Sequence, residues 1–248
     1  MSYLDKTTQK RIIKKYKGTL PLDICVVTCD RLIYLQKCIW SIIASTSVPY
    51  RIFVIDDNSK DGSVEWLKDM KDRELIYNVT YNKKNMGTAW NFNHVINKTK
   101  SSFFVMANDD IYFYRSWDYA TLNAINKFSD CGIVTFFNWY VGFNRVDEKV
   151  IDSETMHLSK TGMAGAVVRR ELFKDVNGFF LPPGEKMGFF ATPFCKKVQK
   201  SKLKQKQHYA LKPYYAYHMD LPKSKLCERD QLKKYTIMRR KHKKGTKA

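Results

Sequence analysis

A chain of 248 residues with 44% hydrophobic and 14% aromatic side chains carries enough apolar surface for a full core, which excludes a disordered or low-complexity polymer. The formal charge of +20 sits mostly at one end: residues 196–248 hold 18 Lys and Arg against 3 acids, leaving 26 against 21 for residues 1–195. The longest apolar stretch, Cys131 to Phe143, is interrupted by Asn138 and is too short to cross a bilayer.

The start of the chain is basic and has no apolar core segment of the kind a signal peptide needs, so residues 1–20 read as a basic N-terminal arm. The 6 cysteines stand at Cys25, Cys29, Cys38, Cys131, Cys195 and Cys227, with no C-x-x-C pair and no His at zinc-ligand spacing. Free thiols in a reducing compartment are expected, hence a cytoplasmic protein, held at a membrane from the outside only if at all.

Asp23 to Thr28 has the composition of a buried strand and ends in Cys29-Asp30-Arg31. Leu32, Leu35, Ile39, Ile42 and Ile43 recur at spacings of three and four, which predicts a helix that Ser45 to Pro49 ends. Asp30 is a candidate N-cap for it. A second buried strand, Arg51 to Ile55, runs into Asp56-Asp57-Asn58-Ser59. The turn at Asp61-Gly62-Ser63 offers Ser63 as N-cap for a helix Val64 to Asp72. A third strand, Ile76 to Tyr81, leads to Asn85-Met86-Gly87 and a helix Thr88 to Lys98.

The fourth strand, Phe103 to Ala107, is apolar throughout and ends in Asn108-Asp109-Asp110. Strands alternating with helices of about ten residues imply βαβ units, a parallel sheet and right-handed crossovers. Asp30, Asp56, Asp57, Asn58, Asp109 and Asp110 then gather along the carboxyl edge of that sheet, where open α/β sheets bind ligands. Adjacent carboxylates there repel each other and lose hydration, so they call for a cation. Oxygen ligands at a strand end suit Mg²⁺ or Mn²⁺ holding substrate phosphates, the arrangement a nucleotide diphosphate needs. For Asp56, Asn58 and Asn85 the plain alternative is turn chemistry, and Trp90, Trp117 and Trp139 read as core or pocket wall.

On these residues the chain resembles the family 2 glycosyltransferases, the large GT-A-fold group. Asp23–Arg31 is similar to their first strand and T-x-N-R turn, and Asp56-Asp57-Asn58-Ser59-x-Asp61-Gly62 to their D-D-(G/N)-S-x-D-G. Asn85-x-Gly87-x-Ala89-x-Asn91 resembles an N-x-G-x-A-x-N helix start, and Asn108-Asp109-Asp110 falls where the metal motif lies. Gly162-x-Ala164-Gly165, through Arg170-Glu171-Leu172-Phe173, to Gly178-Phe179 looks like the acceptor-side segment. The resemblance covers about residues 22–180, with the motifs in order.

The resemblance implies a Rossmann-like, mostly parallel sheet with helices on both faces, bearing a sugar transferase site. Its nucleotide pocket would be formed by Thr28, Asp30, Arg31, Asp56, Asp57, Asn85, Gly87, Asn91 and Asn108, with Asp57 on the base. Asp109 would ligate Mn²⁺ or Mg²⁺ with Asp110 beside it as a catalytic residue, and a late histidine, His218, would complete the ion's shell, a plain hydrogen-bonded histidine being the alternative there. The domain plan is an arm (1–20), a transferase domain (21–220, with a nucleotide half 21–115 and an acceptor half 116–220) and a basic helix or tail (221–248).

Two departures from the family pattern stand out. Ala107 or Asn108 replaces the Asp that commonly opens the metal motif, and the acidic pair expected after Gly178-Phe179 is absent. Glu185 is the only acid between Asp175 and Asp220, so it inherits the role of base in an inverting transfer. A loop Glu paired with Lys186 is the alternative.

The expected donor is a nucleotide-diphosphate sugar, most simply UDP-linked, and the expected acceptor a hydroxyl of a glycan or lipid-linked saccharide. Sugar transfer onto modified nucleic-acid bases is the competing acceptor. A nucleotidyltransferase would instead show a glycine-rich, basic loop after the first strand, and Cys29-Asp30-Arg31-Leu32 is not one. A non-enzymatic module binding anionic polymer would leave Asp57 and Asp109 unexplained, while the missing acid pair motivates a catalytically degenerate member. From Cys227 to Lys244 a helix with Leu232, Tyr235 and Met238 on one face would carry the basic end, engaging an anionic membrane surface or nucleic acid.

Overall fold

The computed structural model describes residues 22–136, 148–151, 155–158, 165–180, 191–211 and 215–219. In chain order the first half comprises β1 (Leu22–Thr28), α1 (Leu32–Ser45), β2 (Tyr50–Asp56), α2 (Ser63–Asp72), β3 (Asn78–Tyr81), α3 (Thr88–Asn97) and β4 (Phe103–Asn108). The second half comprises β5 (Ile111–Phe113), α4 (Trp117–Lys127), β6 (Cys131–Thr135), β7 (Glu148–Val150), β8 (Thr155–Leu158), β9 (Gly165–Arg169), α5 (Arg170–Asp175), α6 (Ala191–Lys200), β10 (Gln207–Leu211) and β11 (Ala216–His218).

A 9-stranded sheet in the order β3-β2-β1-β4-β9-β6-β10-β8-β7 organises the molecule, and β11 and β5 form a second, 2-stranded sheet. The first half is purely parallel, as the βαβ pattern predicts. Beyond β4, strands β9 and β8 run against the rest, while β6, β10 and β7 keep the direction of β1.

Alternation along the strands splits the apolar side chains between two cores. Ile24 and Val26 of β1, Ile52 and Val54 of β2, and Val105 and Ala107 of β4 face one side, with Leu35, Ile39 and Ile42 of α1, Leu67 of α2 and Trp117 of α4. Cys25, Val27, Phe53, Ile55, Phe104 and Met106 face the other, with Phe92 and Val95 of α3, Phe173 of α5 and Phe194 of α6. Every residue of β1 is buried, which is why Ile24 to Val27 is continuously apolar rather than alternating. Each fully buried Leu or Ile of α1 contributes about 1.5–3 kcal/mol, and the three- and four-residue spacing turns Leu35, Ile39 and Ile42 inward together.

At the amino-terminal end of the strands the buried Asp23 accepts from Arg51 Nε at 2.8 Å and from the Lys100 and Ser101 amides at 2.8 and 3.0 Å. One carboxylate thereby ties the starts of β1 and β2 to the turn before β4, and the pairing offsets the cost of burying its charge.

Two local expectations change. The second helix begins at Ser63, and its N-cap is Gly62 with a φ of 91°; the Asp61 carboxylate receives the Ser63 amide at 3.1 Å and hydroxyl at 2.6 Å. Capping passes from Ser63 to Asp61 because the turn between them needs the left-handed φ of Gly62, which places the Asp61 carboxylate at the first amide of the helix. Trp117 is fully buried, as expected of core, but Trp90 is 38% exposed and stacks on His94 at 4.8 Å. Trp90 lies on the solvent side of α3, whose buried face is Ala89, Phe92, Val95 and Ile96. Trp139 lies outside the described residues.

Cys25, Cys38, Cys131 and Cys195 are buried free thiols and Cys29 is half-buried. Burial pushes the Cys131 thiol up to about 12 and raises those of Cys25 and Cys38 as well, so these thiols stay protonated. Among the described residues no helix is long and apolar enough to cross a membrane.

Candidate active site

Register brings the polar loops to one level. Thr28 lies opposite Asp56, and Val27 lies opposite both Ile55 and Asn108. The chain therefore leaves β1, β2 and β4 at nearly the same height, and Thr28, Asp57 and Asp109 emerge side by side at the carboxyl edge. All three are buried, as is Asp110.

Asp109 Oδ2 accepts the Thr28 hydroxyl at 2.8 Å. Arg31 reaches over from the start of α1: its Nη1 donates to Asp110 Oδ2 at 2.9 Å and lies 3.5 Å from Asp109 Oδ1. The guanidinium also rests 4.5 Å over the Tyr34 ring. From the other side the short sheet delivers His218, which pairs in register with Ile111. Its Nε2 lies 3.4 Å from Asp110 Oδ1, a contact that attracts when the imidazole is protonated but does not form a hydrogen bond. The Met219 amide donates to the Asp110 carbonyl at 2.7 Å and fixes that approach. Asp110 Oδ1 is thus a buried carboxylate oxygen without a hydrogen-bond donor, as is Asp56 Oδ2.

Asp57 is the hub of the neighbouring loops. Its Oδ1 accepts from Asn82 Nδ2 and the Met86 amide, each at 2.8 Å, and its Oδ2 from the Gly87 amide at 2.9 Å. A carboxylate has about four acceptor positions, so one remains, on Oδ2. Asn82 shares its amide with Asn91 Oδ1 at 2.7 Å, binding the end of β3 to α3. Asn85 Nδ2 reaches Cys29 Sγ at 3.4 Å, closing the ring of loops.

Asp30 has a φ of 51°, and its amide donates to Ser59 Oγ at 2.9 Å while its carboxylate accepts the Lys60 amide. It does not cap α1. The Leu32 amide donates instead to Asp61 Oδ2 at 2.7 Å, so Asp61 serves the first turns of α1 and α2 together. Burial raises the Asp61 carboxyl, and the bonds from the Ser63 hydroxyl and the Leu32 and Ser63 amides outweigh it, leaving the pKa lowered.

The model of the family described as "Glycosyl transferase family 2" matches residues 23–192, well over half the chain. The chain belongs to glycosyl transferase family 2. No curated protein matches it. Among solved structures, residues 1–349 of S. aureus TarS in complex with UDP-GlcNAc align with a TM-score of 0.62 at 17% identity, over 80% of this chain and 58% of that one. The mannosyltransferase PcManGT from Pyrobaculum calidifontis, in complex with GDP-Man and Mn²⁺, aligns at 0.59 and 16%, over 83% and 60%. GalNAc-T7 with UDP, GalNAc and Mn²⁺ aligns at 0.59 and 14%, over 79% and 44%. At such identities the likeness is one of fold, and it is the GT-A fold. The chain spans about three fifths or less of the length of these neighbours.

The family 2 motifs therefore fall where the fold brings them together: Thr28, Asp30, Arg31, Asp56, Asp57, Asn85, Gly87, Asn91, Asn108, Asp109, Asp110 and His218 all lie on or beside the carboxyl edge. Asp56 shows turn chemistry, its Oδ1 accepting the Ser59 amide at 3.0 Å. Glu185 and Asp220 lie outside the described residues, as do Lys186 and Gly162 to Ala164. Sequence reasoning missed Asn82, which stands at the same strand-end level as the recognised acids and could have been found by extending β3 to that level. It also missed Asn93, whose Nδ2 donates to the Phe179 carbonyl at 2.8 Å and whose Oδ1 receives the Phe179 amide at 2.9 Å. Beside it Gly178 has a φ of 66°, and a Cβ there would lie 2.7 Å from Asn93 Oδ1. This pair docks the Gly178-Phe179 turn onto α3, where the positive φ and the close approach of Asn93 favour glycine.

Among the described residues no group of three His, Cys, Asp or Glu side chains is placed to hold a metal ion by itself. The orphaned Asp110 Oδ1, 3.4 Å from His218 Nε2, nonetheless suits a divalent ion that takes its remaining ligands from a diphosphate and water.

Proposed function

We propose that this family 2 chain transfers a glycosyl group from a nucleotide-diphosphate sugar, UDP-linked by preference, to a hydroxyl of a glycan or lipid-linked saccharide. The observation that carries this reading is the junction of Thr28, Asp109 and Asp110 with Arg31 and His218 at the strand ends. It presents buried carboxylates, one oxygen of them without a donor, beside the loops that Asp57 organises.

In this reading Asp57 offers its remaining acceptor position to the base or ribose, and Asn85, Gly87 and Asn91 shape the wall beside it. Thr28 fixes the rotamer of Asp109, and Asp109, Asp110 and His218 would hold Mn²⁺ or Mg²⁺. When bound, such an ion neutralises the leaving diphosphate as a Lewis acid. Asp110, beside Asp109, would share the ion, and the guanidinium of Arg31 would add positive charge where the leaving diphosphate gathers negative charge. Glu185 takes the proton from the acceptor hydroxyl in an inverting displacement, and the basic end of the chain brings the enzyme to an anionic surface on the cytoplasmic side.

A screen of nucleotide-sugar hydrolysis, with and without Mn²⁺, tests the proposal. It predicts turnover of one donor class, UDP-sugars first, that a chelator abolishes. Hydrolysis of no donor, or turnover indifferent to chelation, contradicts it.

A further inference from the structure

Arg31 stands where an incoming cation would have to stand. Asp109 and Asp110 are adjacent carboxylates, each with only 5% of its side chain exposed. Two like charges buried together require a positive partner, and here the Arg31 guanidinium spans both, at 2.9 and 3.5 Å. Its position is supported from below by the Tyr34 ring at 4.5 Å. The His218 imidazole lies 3.4 Å from Asp110 Oδ1 but makes no hydrogen bond to it. A divalent ion ligated by these acids would lie within a few Å of the guanidinium, and like charges that close repel strongly at a partly buried site.

We propose that Arg31 is the resident counter-cation of the acid pair and competes with the divalent ion for it. The guanidinium holds Asp109 and Asp110 in place while the donor is absent. It swings off the pair when an ion takes over their charge, along the route that its 20% exposed side chain leaves open. Ion binding is thereby weakened on its own and favoured when a diphosphate is there to receive the displaced arginine. This inference rests on the reading of the acid pair as an ion site.

The test is Mn²⁺ affinity without nucleotide, read from the electron paramagnetic resonance of the free ion, for wild type and Arg31→Met. Removing the competing charge should tighten Mn²⁺ binding by about tenfold or more. The metal-free melting temperature should fall, and saturating Mn²⁺ should raise it further in the variant than in wild type. Arg31→Gln, which retains a donor for Asp110, serves if the Met variant does not fold, with the same expected direction. Mn²⁺ affinity equal to wild type, or weaker, in a folded Arg31 variant overturns the inference and leaves the ion site standing. Absence of Mn²⁺ binding to wild type and variants alike overturns the ion reading and the competition with it.

Discussion

Three donors converge on the Asp57 carboxylate, and the loop from Asn82 to Gly87 has its shape from them. Asp57→Ala leaves buried donors unpaired and should cost about 2–4 kcal/mol of stability. UDP affinity, measured by calorimetry on the folded fraction, should fall equally with and without Mn²⁺. A loss confined to Mn²⁺ places Asp57 in the ion's shell instead. Glu185→Gln keeps size and polarity but cannot accept a proton, so turnover should drop by about a hundredfold or more with donor affinity unchanged. Near-normal turnover eliminates Glu185 and moves the test to Asp220. At this scale the acids were legible in the sequence because adjacent carboxylates at strand ends repel each other and need a cation to stay charged there. Asn82 and Asn93 were not, because a lone Asn gives no signal until the fold brings Asp57 or Phe179 beside it.

Asp61 couples two elements by receiving the first amide of α1 and the first amide and hydroxyl of α2. Asp61→Ala should destabilise the domain by about 1 kcal/mol, the usual cost of a lost cap, measured by urea denaturation. Its folded pKa is lowered, so its contribution is fully present above the ordinary carboxylate value of about 4 and is lost as pH falls through the lower folded value. The stability difference between Asp61→Ala and wild type should therefore shrink only below about pH 4. A difference that vanished near pH 6 would sink the capping account. The elements themselves were readable because periodicity governs them: β1, α1, β2 and β4 fall within two residues of their expected ends. The third strand starts late, at Asn78, since only from there does it pair with β2 in register. The union of β11 with β5 was hidden because it joins residues about a hundred positions apart, which no local pattern records. It is nonetheless what carries His218 to Asp110.

The described residues form a sheet with a core on each face and polar loops gathered at one edge, while the charge excess lies in residues 196–248. The parallel half was legible from alternating strands and helices. The reversal of β9 and β8 was not, since strand direction there depends on partners far along the chain. Residues 221–248 lie outside the described part, and their proposed role rests on composition. Lysines near an anionic membrane contribute about 1 kcal/mol each, so five or six would suffice to hold the enzyme there. Truncation after Leu221 should leave donor hydrolysis intact and abolish pelleting with anionic liposomes. If the full chain ignores liposomes but binds duplex DNA with a log–log salt slope of about −0.9 per phosphate contacted, the acceptor is nucleic acid.

The central claim is that the acid pair beside Thr28 makes donor binding depend on a divalent ion, and titration calorimetry of UDP against wild type and Asp109→Ala, each with and without Mn²⁺, reads it directly. Mn²⁺ should tighten UDP binding to wild type by at least about tenfold, the size of an ordinary coupling between ligands, and should do nothing for the variant. An equal gain from Mn²⁺ in both proteins would contradict the account.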